Sequence, residues 1–147
     1  PDHLDHALAQ MARSQHTLLD SLLDQGDAIH ACTDITGFGL LGHLGEMLAR
    51  SELRLTLLIN AIPAYPGALD LLERGHASSL APANRTAWRW LDGPVQLIGA
   101  STPARRELLV DPQTCGPLLL ACDATAARSL IDQGPWIRIG TAEPDHG

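Results

Sequence analysis

Residues 33–43 read Thr-Asp-Ile-Thr-Gly-Phe-Gly-Leu-Leu-Gly-His, and the interpretation of the chain starts from them. The apolar run that leads into them, residues 28–33, predicts a short strand. Residues 34–37 are typical of a turn, and the apolar spacing that follows predicts a helix beginning near Phe38. The stretch is therefore predicted to be a strand end, a turn and a helix start.

The start of this predicted helix is a natural place for phosphate, because it presents unpaired backbone N–H groups and a partial positive charge. Thr36, Gly37 and Gly39 are therefore candidate phosphate-facing residues, and the Thr36 hydroxyl is expected to cap the helix. Asp34 stands just before the turn and offers the hard oxygen ligands that Mg²⁺ prefers, which makes it a candidate metal ligand. From chemistry alone, a single aspartate in this position is more often a turn or capping carboxylate.

The glycines at 37, 39 and 42 also satisfy the pattern G-x-G-x-x-G of dinucleotide-binding folds. In those folds an acidic residue follows about 20 residues later. Here the next predicted strand leads to Asn60, and no Asp or Glu stands at its end. The sequence therefore does not support a dinucleotide site.

Elsewhere, the spacing of apolar residues predicts a long helix over residues 2–24 and a buried strand over 53–59. A short helix is expected at 68–73, a loop at 75–84, and a second short helix that carries Trp88 and Trp90. Further predicted elements are strands at 107–110, 118–122 and 136–139 and a helix at 124–133. Because helices and strands alternate unevenly, we expect a single α+β domain, residues 1–147, with a mixed sheet packed by helices.

The composition excludes several classes of function. The 147 residues are 45% hydrophobic, with few aromatic residues, so an aliphatic core is expected. The net charge of −7 argues against nucleic acid as a partner. Three cysteines favour a reducing cytoplasm over a disulfide framework. No apolar run approaches the roughly 18 residues of a membrane span.

A resemblance to a known family rests on four stretches that occur in family order. Residues 31–44 closely resemble the signature of the second domain of selenophosphate synthetases (selenide, water dikinases). Residues 111–114, Asp-Pro-Gln-Thr, resemble the second signature of that family, and residues 80–85 and 66–69 are similar to its loop and its turn-to-helix entry. The resemblance covers roughly Ser14 to Gly140.

The resemblance implies an α+β domain of the type shared with the C-terminal domain of aminoimidazole ribonucleotide synthetases. It implies an enzyme that converts selenide, ATP and water into selenophosphate, AMP and phosphate, and that is a homodimer at full length. In this family an N-terminal ATP-binding domain supplies the nucleophilic Cys or Sec, a Lys and most Mg²⁺ ligands, and the C-terminal domain adds one aspartate, which corresponds to Asp34. The chain starts at Pro1 rather than Met, so we expect it to be a piece of such an enzyme and inactive alone.

The chain departs from the family pattern at Cys115 and Pro117, where Ser and Gly are usual, and this puts the function of that loop in doubt. Two alternatives stay open: the equivalent domain of a related ATP-dependent enzyme, or a non-catalytic scaffold that kept the fold. His3 and His6 are expected to be surface residues, and His43 is equally suited to hydrogen bonding and to chemistry. Cys32 is expected in the core. We do not expect Cys115 to be the nucleophile.

Overall fold

The computed structural model describes residues 2–145. Seven α-helices and five strands are present in that part of the chain, and three 3₁₀ segments connect them. In order they are α1 (Asp2–Met11), α2 (His16–Leu23), a 3₁₀ turn (Gly26–Ala28), β1 (Ile29–Asp34), α3 (Gly39–Leu48), β2 (Leu53–Leu58), a 3₁₀ turn (Ile59–Ala61), α4 (Ala68–Glu73), α5 (Ala81–Asn84), a 3₁₀ segment (Arg85–Asp92), β3 (Val95–Ile98), α6 (Pro103–Leu108), β4 (Leu118–Cys122), α7 (Ala124–Gln133) and β5 (Gly140–Pro144). None of the described helices is long and apolar enough to cross a membrane.

The strands form two separate sheets. β1 and β4 make an antiparallel pair in which Asp34 lies opposite Leu118. The register of this pair shifts between Ile29 and Ala31, which marks a bulge in β1. The second sheet has the order β3-β2-β5, with β2 parallel to β3 and antiparallel to β5. The predicted α+β class with a mixed sheet is therefore confirmed.

The core is aliphatic, as the shortage of aromatic residues predicts. The largest side chains that are fully buried are Leu41, Ile59, Val95, Leu109 and Val110. Helix α3 contributes several buried leucines to the core, because its apolar residues recur at three- and four-residue spacing along one face. The buried leucines of this helix are Leu40, Leu41, Leu44 and Leu48. The helix that follows the candidate site is therefore anchored in the core.

The prediction of a single helix over residues 2–24 is wrong, because this segment forms two helices, α1 and α2. The Ser14 hydroxyl accepts a hydrogen bond from the His16 amide at 3.1 Å, which offers the backbone an alternative to the helix. Neither helix has a fully buried residue. The Gln15 side chain links the break to a distant part of the chain by donating to the Gly116 carbonyl at 2.7 Å.

Three other predictions of secondary structure are wrong. The predicted strand at 107–110 is the end of α6 and the turn that follows it. Thr102 caps α6 by accepting from the Arg105 amide. The predicted loop at 75–84 ends in the short helix α5. The last strand starts at Gly140 rather than at Trp136. The Ile139 carbonyl already accepts from the Leu58 amide of β2 at 2.7 Å, and paired residues begin at Gly140. A Cβ at Gly140 would collide with the Thr56 carbonyl oxygen, so the two backbones approach each other closely there.

Candidate functional site

The end of β1 places Asp34 at the surface. Burial alternates along the strand, so that His30, Cys32 and Asp34 lie on its exposed face. The chain then turns through residues 34–39, here called the first loop, before α3 begins at Gly39. Asp34 therefore presents its carboxylate to solvent, next to the start of a helix that is fixed in the core.

The first loop packs against residues 109–117, here called the second loop, and backbone hydrogen bonds join the two. The Ile35 amide donates to the Pro117 carbonyl at 3.0 Å, and the Gln113 amide donates to the Thr36 carbonyl at 3.0 Å. The Leu41 amide, at the start of α3, donates to the Leu109 carbonyl at 2.8 Å. These bonds form the two-loop interface, which holds the Asp34 turn in place.

Glycine is required at two positions of the two-loop interface. Gly39 has a φ of +71°, and a Cβ there would lie 2.8 Å from the backbone carbon of Val110. A Cβ at Gly116 would collide with the Ile35 carbonyl oxygen. By contrast, a Cβ at Gly37 would meet no atom of the described residues within 4 Å. Glycine at positions 39 and 116 is thus explained by the close approach of one backbone to another.

Asn84, at the end of α5, fastens both loops together. Its side-chain amide donates to the Gly37 carbonyl at 2.8 Å and to the Val110 carbonyl at 3.0 Å. The next residue, Arg85, makes an ion pair with Glu107 at 2.8 Å. Sequence reasoning gave Asn84 no role, because its two partners lie 47 and 26 residues away along the chain.

A partly buried carboxyl group, that of Asp111, lies in the second loop. Burial raises the pKa of Asp111 above the ordinary value. A hydrogen bond from the Gln113 side chain at 3.0 Å opposes that shift of the pKa, whereas the negative charge of Glu107 adds to it. Asp111 is therefore easier to protonate in the folded chain than in the unfolded one.

The amide groups at the helix start differ in whether they are free to bind a phosphate. The Thr36 amide donates to the His43 ring, and the Gly39 amide donates to the Thr36 carbonyl. Within residues 2–145, the amides of Gly37 and Phe38 have no hydrogen-bond acceptor. The prediction that Thr36 caps α3 is wrong. The first helical residue follows Phe38, and none of the side chains in residues 2–145 caps the helix there. The Thr36 hydroxyl lies 3.1 Å from the His43 ring instead.

The remaining candidates lie outside this arrangement. His3 and His6 are exposed, as predicted, and His6 stacks edge-on against Tyr65. Cys32 is exposed rather than in the core, because the alternation along β1 turns it outward, so that prediction is wrong. Although the residue is exposed, partial desolvation of its sulfur and the neighbouring Asp34 charge raise the pKa of the Cys32 thiol, which disfavours the thiolate. Cys115 is also exposed and has a φ of +55°.

Comparison with known proteins identifies the family. The family described as AIR synthase related protein, C-terminal domain, matches residues 3–147. The chain belongs to this family. The stretches that suggested the family from sequence, residues 31–44, 80–85 and 111–114, supply the first loop, Asn84 and the second loop. The predicted resemblance is confirmed, and its main motifs meet at one place in the fold.

The AIR synthase related domain of this chain is similar to part of several selenide, water dikinases. That of Pelobacter propionicus is 41% identical over 114 residues, which cover 76% of this chain and 32% of the relative. That of Rhizobium meliloti is 41% identical over 105 residues, covering 71% and 29%. That of Haemophilus influenzae (strain ATCC 51907 / DSM 11121 / KW20 / Rd) is 33% identical over 132 residues, covering 90% and 36%. The chain thus spans about a third of the length of these curated relatives.

Proposed function

We propose that this chain is the C-terminal domain of a selenide, water dikinase, which makes selenophosphate, AMP and phosphate from selenide, ATP and water. The observation that carries the proposal is the placement of Asp34. Its exposed carboxylate stands at the start of a turn that also presents the free amides of Gly37 and Phe38. The names of the relatives and the family match support the same conclusion.

The residues present fit Mg²⁺ as one part of a shared site. Asp34 provides a hard oxygen donor, but no group of three or more His, Cys, Asp or Glu side chains among residues 2–145 could hold a metal ion. Mg²⁺ in nucleotide sites is commonly bound through one or two carboxylates and the phosphates themselves. The other ligands are therefore assigned to ATP and to an N-terminal ATP-binding domain. When bound, Mg²⁺ neutralises the charge that develops on the phosphates.

The residues of this chain bind and orient the phosphates. The amides of Gly37 and Phe38 donate to phosphate oxygens, assisted by the positive end of α3. Thr36 and Gly39, also proposed to face the phosphates, shape the turn, since their own amides are used within the chain. Because the two-loop interface and Asn84 fix the turn, these donors are held in place before the nucleotide arrives.

The partners of the chain are the N-terminal ATP-binding domain of the same protein, ATP and selenide, within a cytoplasmic homodimer. One carboxylate cannot hold the ions that phosphoryl transfer requires, so the isolated chain is inactive. Its affinity for Mg²⁺ and ATP is no better than about millimolar. Micromolar binding of ATP by the isolated chain in calorimetry would contradict this shared site.

The decisive experiment is Asp34→Asn in the full protein that carries this chain. The variant keeps the size of the side chain but removes its charge, so selenide-dependent AMP formation should fall by about two orders of magnitude or more. The melting temperature should barely change, because Asp34 is exposed. The matched control is Asp27→Asn, since Asp27 is also an exposed aspartate close before β1. If Asp34→Asn keeps normal turnover, the metal assignment is wrong.

Activity assays of the unmodified full protein distinguish this proposal from the two alternatives, a related ATP-dependent enzyme and a non-catalytic scaffold. ATP consumption that does not depend on selenide would favour the related enzyme. A full protein with no ATP-dependent reaction at all would favour the scaffold.

A further inference from the structure

His43 is the one buried polar or charged side chain among residues 2–145, with 7% of its surface exposed. It stands in α3 and reaches back to the first loop. Its Nε2 atom lies 3.1 Å from the Thr36 amide nitrogen and 3.1 Å from the Thr36 hydroxyl oxygen. A buried imidazole requires partners for both nitrogens, so these contacts account for one of them.

Glu46 accounts for the other nitrogen and so determines the tautomer. A backbone N–H can only donate, so Nε2 must carry a lone pair and the ring proton must be on Nδ1. Nδ1 lies 3.0 Å from the Glu46 carboxylate, one helical turn along α3, and donates to it. The Phe38 ring packs against the imidazole, with the ring centroids 5.6 Å apart. Both nitrogens are thus occupied within the chain, which leaves none to contact a substrate.

Thr36, whose amide His43 binds, lies in the middle of the turn. The Thr36 amide donates to His43, while the Thr36 carbonyl accepts from the Gly39 and Gln113 amides. Thr36 lies between Asp34 and the free amides of Gly37 and Phe38. Because α3 is anchored in the core by its buried leucines, the bond that His43 accepts from the Thr36 amide ties this turn to a fixed helix.

We propose that His43 is a positioning residue, which holds the Asp34–Phe38 turn in the geometry that binds Mg²⁺ and ATP, with Glu46 selecting the required tautomer. The reference to Mg²⁺ and ATP rests on the proposed function. The hydrogen-bonding role itself does not depend on it.

The hydrogen-bonding role is tested by nitrogen-15 NMR of the imidazole in the full protein. The expected spectrum has Nδ1 protonated and Nε2 unprotonated. In His43→Leu the Thr36 amide should exchange with solvent about tenfold faster or more, because it loses its acceptor. His43→Gln offers a carbonyl oxygen near the position of Nε2, so protection of the amide should be restored. A proton on Nε2, or unchanged exchange in His43→Leu, would overturn the proposal.

The positioning role is tested by the kinetics of the same variants in the full protein, with ATP and Mg²⁺ varied. His43→Leu should raise the KM for Mg²⁺–ATP about tenfold and lower kcat less, since the donors remain present but are poorly placed. His43→Gln should recover to within about threefold of the parent. Equal losses in both variants at equal melting temperatures would overturn the positioning role. If the parent shows no selenide-dependent activity, the proposed function fails, and the NMR and exchange measurements still decide the role of His43.

Discussion

The two-loop interface and the N-terminal helices differ in how closely they are packed. At the interface, backbone groups of residues 35–41 and 109–117 bond directly to each other, and Leu109 and Val110 are fully buried behind them. In α1 and α2, no residue is fully buried, and four leucines are exposed: Leu4, Leu8, Leu19 and Leu23. The close packing of this chain is thus found at the two-loop interface, which holds the candidate site. Its N-terminal helices have apolar faces that the described residues do not cover.

The largest expected effect tests whether the interface depends on backbone contact. Gly39→Ala should lower the free energy of unfolding by about 3 kcal/mol or more, since the new Cβ meets backbone atoms and φ is positive. The matched control is Gly37→Ala, where a Cβ has open space. Its effect should stay below about 1 kcal/mol in either direction. Urea unfolding of both variants is the measurement, and equal losses would show that the interface can relax.

A smaller effect, which depends on pH, is expected at Asp111 in the second loop. Since burial raises its pKa, the folded chain holds a proton that the unfolded chain releases above the ordinary pKa of 3.8. The contribution of Asp111 to stability is thus fully present below pH 3.8 and is lost as the pH rises through the raised pKa. Asp111→Asn removes the charge and can still accept from Gln113.

Asp111→Asn should therefore be more stable than the parent at neutral pH, and the difference should vanish in acid below pH 3.8. Unfolding by urea at several pH values measures it, with Asp27→Asn as the exposed control. A difference that is constant over the whole pH range would mean that charge at Asp111 is not the cause.

The smallest effect belongs to the N-terminal helices. Leu23 is 77% exposed, so Leu23→Ala should change the free energy of unfolding by no more than about 0.5 kcal/mol. The matched control is Leu41→Ala, where the leucine is 0% exposed and the loss should be about 2–5 kcal/mol. A loss above about 1 kcal/mol for Leu23→Ala in the full protein would mean that another part of that protein covers α2.

The sequence predicts most reliably the elements whose signals are local. The bounds of α4 and α7 and of β4 agree with those predicted from apolar spacing and from flanking turn residues. The strand predicted at 107–110 is wrong because the short apolar run Leu108 to Val110, of which only Leu108 belongs to α6, has no periodicity that separates a strand from a helix end. The local signal for α6 is the Thr102-Pro103 pair, in which Thr102 caps the helix and Pro103 is its first residue.

In the candidate site, too, local features can be predicted from the sequence and long-range contacts cannot. The position of Asp34 before a turn and a helix follows from neighbouring residues, and the structure agrees. The partners of Asn84 and the burial of His43 depend on contacts between segments far apart in sequence, which periodicity cannot reveal. The predicted cap by Thr36 is wrong for a related reason, since a hydroxyl near a helix start can bond to any acceptor or donor that the fold brings close.

The bulge in β1 determines where this chain can change in length. Ile29 and Ala31 lie opposite the adjacent residues Cys122 and Ala121, so β1 holds one residue more than β4 at this point. A deletion there would let the upstream chain close up, while residues 31–34 keep their partners. An insertion between Ala31 and Asp34 would instead put an extra residue into the regularly paired part of β1. Because the first loop holds the chain just after Asp34, the residues before the insertion would have to change faces or bulge out of the ribbon. The length of β1 can therefore vary most easily at its start, whereas an added residue near its end would disturb the strand beside Asp34.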